Sequence, residues 1–317
     1  MDLLNLFHRK PEPAHTEAPA VATPAEPTPA PSPRPPFVVR SFGLSDRGQA
    51  RPSNEDCFVV VELARAMYVH QTNRPQSTPR FSSHRGHAFL VADGVGGQLG
   101  GEVASALTVE AVEEFLLNTL KRFSDPQAEE APDALEELKG ALLHAEARLV
   151  DETARHPEWR GMGTTLTLAF AVNWTLFVAH AGDSRCYVLS EGGLCQVTRD
   201  HTLAAELVRQ GVVTPGGEAR HPYRHVVTNI LGGSVPGVQV ELHRLDLHPD
   251  DVVLLCSDGL TEMLPDDRIA VLLREEPDPQ RACERLVAEA NLQGGKDNIT
   301  VIVAHVGGPV SQTQAAG

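Results

Sequence analysis

The stretch HAFLVADGV, residues 87–95, is a short apolar run that stops on the pair Asp93-Gly94. Its length and its turn dipeptide read as a buried β-strand with an acidic residue at its C-terminal end. The same arrangement recurs in LFVAHAGD (176–183), which ends at Asp183, and in VVLLCSDG (252–259), where Asp258 follows the run. Two further runs reverse the order: Glu55 and Asp56 precede CFVVV, and Asp297 precedes NITVIVA. In an antiparallel sheet the C-terminal end of one strand lies beside the N-terminal end of its neighbour. Strands of these two polarities therefore bring five or six carboxylates to one edge. Taken singly, Asp93-Gly94 and Asp258-Gly259 are ordinary turn dipeptides, and Glu55-Asp56 is an ordinary solvated strand entrance. Their matched polarity is what points to a common site.

Outward from these runs, the apolar pattern predicts further strands at 37–43, 165–172, 186–189, 226–231 and 238–242, joined by short turns. Apolar residues at three- and four-residue spacing predict helices at 102–122, 132–155, 203–210 and 279–292. The helices are clustered and do not alternate with the strands. The expected class is α+β: two packed antiparallel β-sheets flanked by helices, a four-layer α-β-β-α sandwich.

Residues 11–36 hold ten of the 24 prolines, with Ala, Glu and Thr and almost nothing to bury, so 1–36 is expected to be a disordered Pro/Ala-rich tail. The folded domain is expected over 37–306, with an insertion at 64–87, a flap at 200–233 and a short C-terminal tail at 307–317. The chain has 317 residues, 41% of them hydrophobic, enough for one large core. With 27 Lys and Arg against 42 Asp and Glu the net charge is −15, which opposes a nucleic-acid backbone or an anionic membrane. The five cysteines form no CxxC pair, which fits a reducing cytosol and argues against a disulfide frame or a zinc site. No window is apolar for the 18 residues of a membrane span, and the opening MDLLNLFHRK reverses the order of a signal peptide, so a cytoplasmic protein is expected.

Carboxylates crowded at one edge repel one another and raise each other's pKa unless a cation compensates. The ligand set is all oxygen, with no Cys or His at matched spacing, so the ions expected are Mg²⁺ or Mn²⁺, at least two of them.

At these residues the sequence resembles the metal-dependent protein phosphatases of the PP2C (PPM) type, in their short bacterial form. The resemblance rests on an ordered set: GLSDRGQARPSNEDC (43–57), VADGVGGQLGGEVAS (91–105), GMGTTLTL (161–168), AGDSRCY (181–187), TRDHT (198–202), LCSDGLTEML (255–264) and GGKDNITVIV (294–303). It implies two ions bridged by Asp93, one also held by Glu55 and the Gly94 carbonyl, the other by Asp258 and Asp297. Asp56 would hold a metal-bound water, and Asp183 with Asp258 a third, weaker ion. A water activated by both metals would be the nucleophile, and Arg51 would grip the phosphate in a bidentate manner. Gly163, Thr164, Thr165 and His201 match positions of architectural character. Where animal members carry a histidine after the first Asp-Gly, this chain has Val95, so the proton for the leaving oxygen needs another source, a metal-bound water being the first candidate.

The implied function is hydrolysis of phosphoserine and phosphothreonine on proteins, opposing Ser/Thr kinases in bacterial signalling, by a monomer. Two alternatives stand beside it: a phosphoprotein-binding pseudophosphatase and a small-molecule phosphohydrolase. Arg220, His221, Arg224 and His225 put positive charge on the flap, suited to a phosphorylated peptide. The insertion, with Arg65, Arg74, Arg80 and Arg85, leaves the far edge of the sheet. At roughly 3.3 Å per residue its tip is expected about 20 Å from the metals, as a docking site or a disordered loop.

Overall fold

The computed structural model describes residues 37–67, 80–96, 100–119, 134–214, 216–217, 221–234 and 237–307. Both expected tails, apart from Gly307, lie outside the described residues, as does Arg220 of the flap. In chain order the elements are β1 (Val38–Asp46), β2 (Asp56–Met67), β3 (Arg80–Val95), α1 (Gly100–Thr119), α2 (Ala134–Arg155), a 3₁₀ turn at Pro157–Trp159, β4 (Gly163–Thr164), β5 (Leu166–Val172), β6 (Thr175–Ala181), β7 (Arg185–Ser190), β8 (Gly193–Gln196), α3 (Leu203–Arg209), β9 (Leu231–Gly232), β10 (Glu241–Asp246), β11 (Val252–Cys256), α4 (Asp258–Thr261), α5 (Asp266–Glu275), α6 (Pro279–Leu292) and β12 (Ile299–Gly307).

Two sheets form, with every pairing antiparallel. One has the order β1-β12-β11-β7-β8. In the other, β10-β6-β5 reaches β3, which pairs with β2 along its opposite edge and with β4, then β9, beyond the end of β5. Period-two alternation explains how the sheets stack. On β3, Ala88, Leu90 and Ala92 face α1 and α2, whereas Phe89 and Val91 face the other sheet. On β12, Val301 and Val303 pack under α5 and α6, while Ile302 and Ala304 meet the β3 side. Three apolar layers thus lie between four layers of structure, the expected sandwich, and each fully buried Leu, Val or Phe contributes roughly 1.5–3 kcal/mol.

Local chemistry sets the element ends. Thr202 caps α3 by accepting from Ala205 N at 3.2 Å, and Asp278 caps α6 by accepting from Arg281 N at 3.0 Å, with Pro279 in its first turn. Asn173 and Trp174, both at positive φ, make the two-residue turn that joins β5 to β6.

The structure departs from the sequence expectations in several places, among them the following. The strand expected at 226–231 shrinks to Leu231–Gly232, because Leu203 N binds the Val226 carbonyl, Thr228 N binds that of His201, and Val227 makes only an isolated bridge to Thr202. The strand expected at 238–242 starts at Glu241, since the Asn229 side-chain amide takes both backbone groups of Gln239, at 2.9 and 2.8 Å, in place of a neighbouring strand. Helix α5 was not anticipated. Finally, the 64–87 stretch is largely strand: β2 runs on to Met67 and β3 begins at Arg80, with a register shift at Ala64 to Ala66, leaving 68–79 outside the described residues.

Candidate metal centre

Asp56 and Asp93 face each other directly in the β2/β3 register, at the end of the hairpin opposite Met67 and Arg80. Asp183 follows β6, Asp258 follows β11 and Asp297 precedes β12, which pairs with β11. The acids expected at one edge are therefore gathered there, three by one sheet and two by the other.

The backbone of Asp93 is held by the break between β4 and β5. Its N–H donates to Thr165 Oγ1 at 3.0 Å, and its carbonyl accepts from Thr165 N at 2.9 Å and Thr164 Oγ1 at 2.8 Å. This gives the GTT segment a positioning task. Glu55 is fixed from the other sheet: its N–H donates to Asn298 Oδ1 at 2.8 Å, while Asn298 Nδ2 donates to the carbonyls of Arg47 and Ser53, both at 2.9 Å. Ser257 Oγ donates to Asp56 Oδ2 at 2.7 Å and accepts from Thr300 N at 3.0 Å, joining the two sheets at the acidic edge. Sequence reasoning gave Asn298 and Ser257 no role. The available signal was that both are small polar residues inside apolar runs beside an acid, positions that bury a polar group only when it is bonded.

Gly94 N donates to the Glu55 carbonyl at 3.2 Å. A Cβ on Gly94 would collide with the Gly101 and Glu55 carbonyls, and one on Gly101 would collide with the Glu55 carboxylate. The two glycines keep Glu55, Gly94 and the start of α1 in close approach.

Burial first, and then repulsion from Asp56, Asp258, Asp183 and Asp297, raises the Asp93 carboxyl well above the usual carboxylate range. Asp258 is raised likewise, by burial and then by Asp183, Glu262, Asp297 and Asp56. Burial also pushes Asp183 up to about 7 and Asp56 up to about 6. Asp56 Oδ1 and Asp258 Oδ1 are buried and make no hydrogen bond among the described residues. Bare oxygens in a cluster of buried acids are destabilising unless a cation meets them, so this all-oxygen donor set fits hard divalent ions.

Arg51 lies at the margin, half-exposed, with Nη2 on Asp297 Oδ2 at 2.6 Å. That hydrogen bond, opposed by partial burial, raises the guanidinium pKa and keeps it charged. Val95 is 39% exposed beside Gly163 and brings no proton donor. Behind Asp183, His201 accepts from Gly182 N through Nδ1 at 3.1 Å and donates its own N–H to the Gly182 carbonyl at 2.7 Å. Its Nε2 donates to Glu241 Oε2 at 3.1 Å. His201 thus ties the Asp183 turn to the flap root, where its carbonyl accepts from Thr228 N at 2.8 Å.

A family profile described as Protein phosphatase 2C matches residues 76–290. The chain is 33% identical over 271 residues to the serine/threonine protein phosphatase PstP of Mycobacterium tuberculosis, taking in 85% of this chain and 45% of that protein. It therefore spans about half the length of that relative. It is 31% identical over 262 residues to the serine/threonine phosphatase stp of Listeria welshimeri, covering 82% of this chain and 92% of the other. Among solved structures, the catalytic domain of the phosphatase PstP in complex with two manganese ions superposes with a TM-score of 0.65 at 31% identity, over 86% of this chain and 99% of that one. The chain belongs to the protein phosphatase 2C family, and its paired antiparallel sheets with flanking helices are the fold of its structural neighbours.

Proposed function

We propose that this protein hydrolyses phosphoserine and phosphothreonine on other proteins at the acidic edge where its two sheets meet. The observation that carries the reading is the gathering of Asp56, Asp93, Asp183, Asp258 and Asp297, with two bare buried oxygens, beside the half-exposed Arg51. Glu55, the Gly94 carbonyl, Asp93, Asp258 and Asp297 are the groups that would hold two Mn²⁺ or Mg²⁺ ions, with Asp93 the one that would be shared. Asp56, held by Ser257, would orient a water on these ions, and Asp183 with Asp258 would hold a third ion. Bound there, the cations lower the pKa of water, supplying a nucleophile near neutral pH, and neutralise charge on the phosphoryl oxygens.

The chain's own groups do the rest. Arg51, fixed in charge, takes the phosphoryl oxygens in a bidentate manner, giving up part of its hold on Asp297. Thr164 and Thr165 keep the Asp93 backbone still, and Asn298 keeps Glu55 in line, so the ligands need no rearrangement. Arg224 on the flap offers positive charge for a phosphopeptide. Both groups of relatives are named as serine/threonine phosphatases, which supports a phosphoprotein substrate; a Ser/Thr kinase as the opposing enzyme and a cytoplasmic monomer as the working form belong to the same proposal. Among the described residues no helix is long and apolar enough to cross a membrane.

The test is release of phosphate from a phosphothreonine peptide. Release that requires Mn²⁺ and stops on chelation is expected. A folded protein that releases none with Mn²⁺ present refutes the reading in favour of a binding module, and a large preference for phosphorylated metabolites refutes the protein substrate.

A further inference from the structure

The flap reaches the acidic edge at His225. His225 stands next to Val226, whose carbonyl accepts from Leu203 N at 2.8 Å, and Val227 bridges Thr202, so this part of the flap is fastened to the start of α3. From that foothold His225 Nδ1 meets the Glu262 carboxylate. One ligand atom from each of His225, Asp258 and Glu262 lies within 4.8 Å of the others. Asp258 opens α4 and Glu262 closes it, and residues four apart on a helical turn share a face. The His225–Glu262 pair satisfies those two groups and leaves Asp258 Oδ1 buried without a partner among the described residues. Asp258, which the proposed metal centre also uses, thus stands within reach of both groups.

We propose that His225, Asp258 and Glu262 form a cation site that fastens the flap to α4. It differs from a site built on Asp183 and Asp258 in taking a nitrogen ligand, and in taking it from the flap. One imidazole with two carboxylates suits borderline divalent ions, Mn²⁺ or Zn²⁺, better than Mg²⁺, which prefers oxygen and keeps its waters. Occupancy ties the flap segment to the helix that carries Asp258, so an ion here sets how firmly the substrate-side wall is closed. The proposal rests on the phosphatase reading in that both use Asp258.

The experiment loads the full chain with Mn²⁺ and uses pulsed electron paramagnetic resonance to detect imidazole nitrogen bound to the ion, with equilibrium dialysis to count ions. A nitrogen coupling is expected in the wild type, lost in His225→Gln and kept in His221→Gln, the neighbouring flap histidine. His225→Gln should also weaken one ion per chain by tenfold or more, on the order of what even outer-sphere changes do to metal sites. The His225 side chain is 43% exposed, so the substitution leaves the core intact, which circular dichroism checks. No nitrogen coupling in the wild type, or coupling that survives His225→Gln, overturns the proposal. Mn²⁺-dependent turnover without the coupling sinks this site and leaves the phosphatase reading standing; coupling without turnover does the reverse.

Discussion

Asp93 shows how much of the site is decided one residue at a time. Its backbone is held by three hydrogen bonds with Thr164 and Thr165, one donated and two accepted, so its position does not depend on its charge. Its carboxyl is buried among four other acids and is raised well above the usual range. Asp93→Asn keeps the shape and the backbone bonds but removes the charge that, on the proposed function, would hold two ions together. Turnover at saturating Mn²⁺ should fall by roughly a hundredfold or more, since the activated nucleophile goes with the metals. Near wild-type turnover in a folded variant would remove Asp93 from the bridge. His180 offers a separate test away from the acids. Burial, and then repulsion from His201, lowers its pKa from 6.5 to about 4, and its Nε2 donates to the carbonyls of Gly182 and Arg199, both at 3.1 Å, while Nδ1 accepts from Thr167 Oγ1. A base with a lowered folded pKa contributes its stability above the unfolded value, here 6.5, and loses it as pH falls towards 4, because the unfolded chain takes the proton first. The shift corresponds to a loss on the order of 3 kcal/mol across that window. His180→Asn cannot titrate, so the wild-type-minus-variant difference in urea midpoint should shrink as pH drops from 6.5 to 4; a difference that stays constant would show that His180 is not buried neutral.

At the scale of elements, the β2/β3 hairpin carries the acids at one end and projects the other way. From Asp56 to Met67 is eleven steps, about 36 Å at 3.3 Å per residue, longer than the about 20 Å expected when the whole of 64–87 was read as loop. Replacing residues 68–79 with an Asn-Gly turn should leave hydrolysis of a small aryl phosphate unchanged, and a folded variant without turnover would show that the far end feeds the site. Why the hairpin was half legible is physical. The apolar alternation of 57–63 and 88–92 is imposed by packing on both faces, whereas β3 pairs with β5 only as far as Gly86, and past it the hairpin is two strands with no sheet to dictate a pattern. The same reason explains β9 and the late start of β10, where side chains of Thr228 and Asn229 replace strand partners and leave no period in the sequence. Helix α5 was different. Its signals were present: Pro265 just before it, Asp266 and Asp267 in the first turn, and Ile269, Ala270, Leu272 and Leu273 on one buried face. Strands β11 and the C-terminal helix α6 ran as expected because both faces of the strand and one full stripe of the helix are buried.

For the molecule as a whole, the acidic edge is the seam between the two sheets. Asp56, Asp93 and Asp183 come from one sheet, Asp258 and Asp297 from the other, and the Ser257–Asp56 and Glu55–Asn298 bonds cross between them. Without cations the seam holds like charges together in a desolvated place, and the raised carboxyls record that cost. Cations that bind the folded seam and not the unfolded chain must therefore stabilise the whole domain. At a hundred times the dissociation constant one ion adds about 2.7 kcal/mol, and a second adds its own share. For a domain of this size each kcal/mol moves the melting temperature by about 2–4 °C, so Mn²⁺ should raise it by roughly 5–10 °C per saturated site, reversibly on adding a chelator. Asp93→Asn should respond differently in both states. Metal-free, it relieves repulsion and melts at the wild-type temperature or above it; with Mn²⁺ it gains much less, because the residue proposed to be shared by both ions is gone. Differential scanning calorimetry with and without Mn²⁺ reads all four values. An unchanged wild-type melting temperature, or an Asp93→Asn response equal to it, would mean that the two sheets are not joined by metal at this seam.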